Sequence, residues 1–266
     1  MEQDAMQNNQ LAALLFDVDG TLADTEEIHR KAFNVAFAAA GLDWFWDPKL
    51  YRELLAVTGG KERIRYYLER FRDPAAGAAV SDAFIATLHR AKTACYTRAL
   101  AEGDVPLLPG VERLMLEARG NGIQLAIVTT TTPANVTALL KHSFRSDTSD
   151  WFAVIAAGGV VANKKPAPDI YLHALEQLAL PPELCLAIED SANGLRSALA
   201  AGVATLITTS RYTEDHDFSG AALVLDHLGE PGHPCHVIAG KAEPRGMVDT
   251  AFLRQLHTQC RAMRND

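Results

Sequence analysis

Short apolar runs recur along this chain at residues 11–16, 124–128, 152–156, 184–188 and 204–207, each bounded by polar or turn-forming residues. Runs this short and this apolar read as strands buried on both faces. From Pro109 onward they alternate with helical patterns. Within 170–178, for example, Tyr171, Ala174, Leu175 and Leu178 keep the i, i+3, i+4, i+7 spacing of one helix face. The alternation predicts an α/β chain whose core is a Rossmann-like parallel sheet with crossover helices.

The alternation is interrupted once. Between Asp24 and Asp104 no strand pattern occurs, whereas helical stretches occupy 26–40, 62–71 and 82–100. An α-helical cap over 25–104, inserted into a core made of 1–24 and 105–230, accounts for this. "RFRDPAAGAAVSD" reads as a loop inside the cap and "LAEGDVPLLPGV" as the return connection. Residues 231–266 form a C-terminal extension, first rich in Gly and Pro and then helical over 252–263, expected to lie on the surface.

The formal net charge of −8, with no long basic block, argues against nucleic acid or an anionic membrane surface as partner. An anionic small molecule must therefore be met by a local cluster of cations. The four cysteines show no CxxC pair, no apolar stretch reaches the roughly 18 to 20 residues of a membrane span, and the start "MEQDAMQNNQ" is polar and acidic. The expectation is a cytoplasmic monomer.

Ligands of open α/β sheets bind beyond the carboxyl ends of the strands. There this chain places chemistry. "LLFDVDGTLADTEE" ends its apolar run in Asp17 and Asp19, "LAIVTTTT" reaches Thr129, "LCLAIEDS" ends in Glu189 and Asp190, and "VVANKKPAPD" sets Lys164 and Lys165 before a helix. With the strands side by side, these residues share one crevice. Four carboxylates there would repel unless a cation sat among them, and hard oxygen ligands with phosphate suit Mg2+. A lysine just before a helix start is disfavoured by the dipole unless an anion lies between them. Cation, anion and a bare carboxylate together describe phosphoryl transfer with Asp17 as nucleophile. An isolated DxD pair more often caps a turn, but it does not account for four such parts in order.

"DVDGT", Thr129, Lys165 and "EDS" resemble the four motifs of the haloacid dehalogenase superfamily of phosphatases, and the resemblance covers Leu14 to about Leu228. A helical cap directly after the first motif resembles the phosphoglycolate phosphatase and β-phosphoglucomutase branch. The resemblance implies Asp17 as nucleophile and Asp19 as the acid and base. Thr129 and Lys165 would bind the phosphoryl group. Asp17, Asp19 through its backbone carbonyl, and Asp190 would ligate Mg2+, with Glu189 beside them or acting through water.

Within the cap, "DWFW", "YRELL", "TGGKERI" and "HRAK", together with "TTTT" in the core, resemble the CbbY family of Calvin-cycle bacteria. Those proteins dephosphorylate xylulose 1,5-bisphosphate, an inhibitory by-product of Rubisco. Carried over by position, the resemblance casts Glu26, Gly59, Gly60, Lys61, Arg63, His89 and Lys92, with Thr130 and Asn135, as contacts of a small phosphorylated sugar. A Gly-Gly pair does let backbone N–H groups approach a phosphate, and Lys61, Arg63 and Lys92 supply charge that the rest of the chain lacks. A mutase of the β-phosphoglucomutase kind and a phosphoglycolate-type monophosphatase share the core motifs. A dehalogenase needs neither metal site nor second acid, and a non-catalytic sugar-phosphate sensor needs no nucleophile.

Overall fold

The computed structural model describes residues 10–73, 80–103, 105–145, 148 and 150–265. The polar N-terminal stretch 1–9, residues 74–79 of the loop expected inside the cap and residue 104 of the return connection lie outside the described residues.

Among the described residues, seven strands form one sheet in the order β3-β2-β1-β4-β5-β6-β7. They are β1 (Ala13–Phe16), β2 (Gln124–Thr129), β3 (Phe152–Ala157), β4 (Cys185–Glu189), β5 (Ala204–Thr208), β6 (Leu223–Leu225) and β7 (Val237–Ala239). Neighbours pair in parallel except β6 and β7. β1 lies centrally, with Phe16 in register with Ile127 of β2 and Ile188 of β4. Three strands thus end at one level, and the residues that follow them meet. β6 and β7, at three residues each, are too short for periodicity to reveal.

Alternate strand residues fill two cores. Leu14, Phe16, Leu125, Ile127, Leu186 and Ile188 face one side, whereas Ala13, Leu15, Ala126, Val128 and Ala187 face the other. Helices α7 (Asp169–Leu178) and α8 (Ala192–Ala200) cover the second face, α7 with the Tyr171, Ala174, Leu175 and Leu178 stripe read from sequence. Helices α5 (Val111–Gly120), α6 (Pro133–Ser143) and α9 (Thr250–Asn265) cover the first. Local signals start several helices. Thr132 caps α6 ahead of Pro133, and Ser191 caps α8 by accepting from the Gly194 N–H.

The insertion holds α1 (Glu26–Ala39), α2 (Pro48–Leu54), α3 (Gly60–Phe71) and α4 (Asp82–Glu102). Among these, α2 was not expected from periodicity; Asp47 caps it and Pro48 occupies its first turn. The cap has its own aromatic core, in which Trp46 packs against Phe33, Phe37, Tyr51 and Tyr67. Helix α4 bridges the two bodies, since Ile85 and Leu88 lie in that cluster while Tyr96 and Leu100 lie in the main core. At 21 residues it extends about 30 Å.

The C-terminal extension is not a surface appendage. Val248 and Leu253 are fully buried, and with Leu256 and Cys260 they belong to the cluster that contains β1. The side chain of Thr250 donates to Glu117 on α5 and accepts from Asn121. The Gly- and Pro-rich approach masked an apolar face at 253, 256 and 260. No helix among the described residues is long and apolar enough to cross a membrane, and all four cysteines are free.

Candidate active site

The residues after β1, β2 and β4 line one cleft of about 720 Å³, to which the cap contributes the opposite wall. Lys165 organises its floor. The buried ammonium donates to Asp17 Oδ1 at 2.6 Å, to Glu189 Oε1 at 2.6 Å and to the Val128 carbonyl at 2.8 Å. Burial alone would depress it, but Asp17 and Glu189 hold it above the ordinary lysine range. The dipole penalty expected of a lysine here is thus answered by two carboxylates. Sequence reading missed Tyr171, whose hydroxyl donates to Glu189 Oε1 at 2.6 Å from the core face of α7.

Asp17, Glu189 and Asp190 each offer a carboxylate oxygen within 4.8 Å of the others. One lysine does not balance three carboxylates. Burial pushes Asp17 up to about 7 against the pull of Lys165, with Glu189 and Asp19 adding to the rise. Burial and then the charges of Asp17 and Glu189 push Asp190 well above the carboxylate range. Glu189 Oε2 is buried without a partner. A divalent cation would relieve all three, so the residues fit Mg2+. Two glycines make room. A Cβ on Gly20 would lie 2.2 Å from Asp190 Oδ2, and one on Gly194 would lie 1.8 Å from Glu189 Oε2.

Asp19 differs from the expected cluster of four, because its carboxylate turns away from the other three. Oδ1 accepts from Thr25 Oγ1 at 2.6 Å and lies 2.8 Å from His29 Nε2. Burial would raise its pKa, yet His29, Thr25 and Lys92 together hold it below the usual carboxylate range. His29 stacks on Tyr96 at 4.0 Å, and its other ring nitrogen meets the Lys92 ammonium. Thr25, His29 and Tyr96 were not singled out from sequence. The available signal was helical spacing: Thr25 and His29, like Lys92 and Tyr96, are four residues apart.

Of the expected substrate contacts, Glu26, Gly59, Gly60, Lys61, Arg63, His89, Lys92, Thr130 and Asn135 all line the cleft, as does Thr129. Their surroundings differ. Lys61 is exposed at the start of α3. Arg63 is a strut of the cap, donating to the Leu54 and Val57 carbonyls and to the Tyr51 hydroxyl. That hydroxyl in turn donates to Glu26. Lys92 is buried over the rings of Phe33 and Tyr96, and burial pulls it down to about 8 against the pull of Asp19. Asn135 donates to Thr131 Oγ1, but its own Oδ1 is buried without a partner.

The glycine pair is forced by its neighbours. Gly59 has φ of +97° and faces the ion pair of Glu62 with Lys164, 2.8 Å long, while a Cβ on Gly60 would lie 2.5 Å from the His89 ring. Burial pulls His89 down to about 4, with Lys92, Lys164 and Lys61 adding to the fall.

Residues 11–202 match the haloacid dehalogenase-like hydrolase family. The CbbY protein of Rhodobacter capsulatus is 56% identical over 212 residues, covering 80% of this chain and 91% of the relative. The chain belongs to the haloacid dehalogenase-like hydrolases, within the CbbY group.

The plasmid CbbY protein of Cupriavidus necator is 50% identical over 249 residues, covering 93% of this chain and 97% of its own, so it extends into the C-terminal segment. A crystal structure of a CbbY mutant from Rhodobacter sphaeroides, in complex with xylulose 1,5-bisphosphate, is 50% identical. It superposes with a TM-score of 0.77 over 82% of this chain and 94% of that one. A β-phosphoglucomutase from Clostridium difficile shares the fold, with a TM-score of 0.73 at 21% identity over 95% of this chain and 99% of that one. As a CbbY-type haloacid dehalogenase-like hydrolase, the chain is a phosphatase.

Proposed function

We infer that this phosphatase removes one phosphate from a small sugar bisphosphate, with xylulose 1,5-bisphosphate as substrate, through an aspartyl phosphate on Asp17 and with Mg2+. One observation carries the reading: the cleft has cationic groups at both ends. Lys165 lies against Asp17, while Lys61 and the α3 N-terminus line the cleft from the cap, with Lys164 reaching across from the core to Glu62 of that helix. The related CbbY crystallised with that bisphosphate supports the choice of sugar.

The chain's own groups account for the steps. Asp17 attacks phosphorus, and the P–O bond to the sugar breaks as the sugar oxygen takes a proton from Asp19. Thr129 and Lys165 hold the transferring oxygens. Water then attacks the aspartyl phosphate, giving its proton back to the Asp19 carboxylate. Asp19 rests ionised, the form the second step needs, and the negative charge of an arriving phosphate group raises its affinity for the proton that the first step needs. Asp17, Glu189 and Asp190, with the Asp19 carbonyl, would hold Mg2+, which neutralises the phosphoryl oxygens when bound. A cap that closes over bound substrate would keep bulk water from the acyl phosphate.

The test is phosphate release from sugar bisphosphates and monophosphates, with Mg2+ and with a chelator, by the wild type and Asp17→Asn. Release from the bisphosphate that stops with the chelator and in the variant is expected. Isomerisation of a sugar phosphate without net release would establish a mutase instead.

A further inference from the structure

The segment after β5 belongs to the core, yet it reaches into the cap. Among the described residues, Tyr212 is the one member of the cap's aromatic cluster that comes from outside 25–104. Its ring meets Tyr51 edge-on at 5.7 Å, and its hydroxyl donates to Glu27 Oε2 at 2.8 Å. Beside it, Arg52 of α2 donates to the Arg211 carbonyl at 2.6 Å. Two residues back, Ser210 Oγ donates to Asp190 Oδ2 at 3.2 Å. A turn stiffens the link, since the Ser210 N–H donates to Thr213 Oγ1 at 3.0 Å.

Ser210 and Tyr212 are too close in sequence, and too firmly held by that turn, to move independently. A cap that lifts away either draws Tyr212 with it, pulling Ser210 off Asp190, or leaves an aromatic ring without its pocket. Among the described residues, Ser210 is the side chain that donates a hydrogen bond to the Asp190 carboxylate, which is only 4% exposed. Losing that donor frees the carboxylate to turn. We propose that residues 210–212 are a strap that couples seating of the cap to the orientation of Asp190. Tyr212 and Ser210 are then positioning residues that act through Asp190. The proposal rests on reading the acidic cluster as a cation site.

The test is binding of Mn2+, followed by the electron paramagnetic resonance of the free ion, to the full chain without substrate. Ser210→Ala should weaken binding roughly three- to tenfold, the range for losing one hydrogen bond of ordinary net strength, since the 3.2 Å contact orients the carboxylate and does not itself touch the ion. Tyr212→Ala should weaken it by a similar factor although it touches no carboxylate of the cluster, and should add less than twofold once Ser210 is already alanine. The double variant Tyr212→Phe with Arg52→Ala, which keeps the ring's volume, should show the same dependence on Ser210 if Tyr212→Ala does not fold. Melting temperatures taken alongside separate loss of stability from loss of affinity. Tyr212 variants that bind Mn2+ as the wild type does, or effects that multiply in full with that of Ser210→Ala, would overturn the strap alone. No Mn2+ binding by the wild type would overturn the cation reading and the strap with it.

Discussion

His29 presents Nε2 to Asp19 at 2.8 Å while its Nδ1 faces the ammonium of Lys92, and this pairing assigns the tautomer. An ammonium only donates, so Nδ1 accepts and Nε2 carries the proton directed at Asp19. The His29 donor is thus the first of the groups, ahead of Thr25 and Lys92, that hold the Asp19 pKa down. His29→Asn shortens the side chain and withdraws that donor. Because the donor favours the carboxylate, its loss raises the Asp19 pKa, and the carboxylate stretch of Asp19, followed by infrared difference spectroscopy against pH, should titrate at higher pH than in the wild type. A fall in kcat of roughly ten- to a hundredfold is expected, the range for one charge-assisted hydrogen bond. An unmoved titration of Asp19 would show that His29 does not hold it down.

Gly194→Ala tests whether Glu189 is held by exclusion. Alanine in place of a helical glycine ordinarily stabilises by up to about 1 kcal/mol. Here the new methyl would lie 1.8 Å from Glu189 Oε2, which is buried, and pushing it away would strain the bonds that the same carboxylate's Oε1 accepts from Lys165 and Tyr171. Displacing a buried charge from its partners costs about 3 kcal/mol or more, so the clash wins over the propensity. Thermal unfolding should show net destabilisation, and Mn2+ binding should weaken with it. A variant as stable as the wild type would mean that the carboxylate has room to move.

What the sequence revealed and what it hid divide along physical lines. The five long parallel strands and the residues after them were readable because a strand buried on both faces needs an unbroken apolar run, and because the sheet requires that polar groups at strand ends converge. Asp17, Thr129, Lys165, Glu189 and Asp190 fall in this class. The partners of Asp19 were not readable, since Thr25, His29, Lys92 and Tyr96 sit on two helices joined only by tertiary packing. Tyr171 and Tyr212 were hidden for a different reason. Each packs its ring in an apolar cluster, aliphatic around Tyr171 and aromatic around Tyr212, and only the folded arrangement brings its hydroxyl to a carboxylate. Lys61 and Arg63 looked alike as cap cations, but Arg63 is bound into the cap and Lys61 is exposed in the cleft.

The C-terminal helix allows a direct check on where the core ends. Leu253 is fully buried in the cluster shared with β1, and Leu253→Ala should destabilise the whole chain by about 2 to 5 kcal/mol, the range for a large-to-small change in a packed core. Urea unfolding followed by tryptophan fluorescence measures it, because two of the three tryptophans, Trp44 and Trp46, lie in the cap and report on the distant body. A single transition shifted to lower urea is expected. An unshifted midpoint would restore the extension to the surface.

The cap decides the substrate class, and Lys61 tests it most directly because nothing in the cap's own packing depends on it. It is exposed, lines the cleft at the first turn of α3, and follows the two glycines whose N–H groups begin that helix. A charge-assisted contact to a second phosphate contributes about 1.5 to 3 kcal/mol, so Lys61→Ala should lower kcat/KM for the bisphosphate roughly ten- to a hundredfold. A short monophosphate such as phosphoglycolate cannot span from Asp17 to the cap, and its kcat/KM should change by less than about twofold, within the usual effect of a neutral surface substitution. Arg63→Ala serves as the contrast. That guanidinium braces the Leu54 and Val57 carbonyls and the Tyr51 hydroxyl, so its loss should lower the melting temperature and depress both substrates together. Equal losses for both substrates in Lys61→Ala would mean that the cap only covers the site, and the bisphosphate reading would give way to a monophosphate phosphatase.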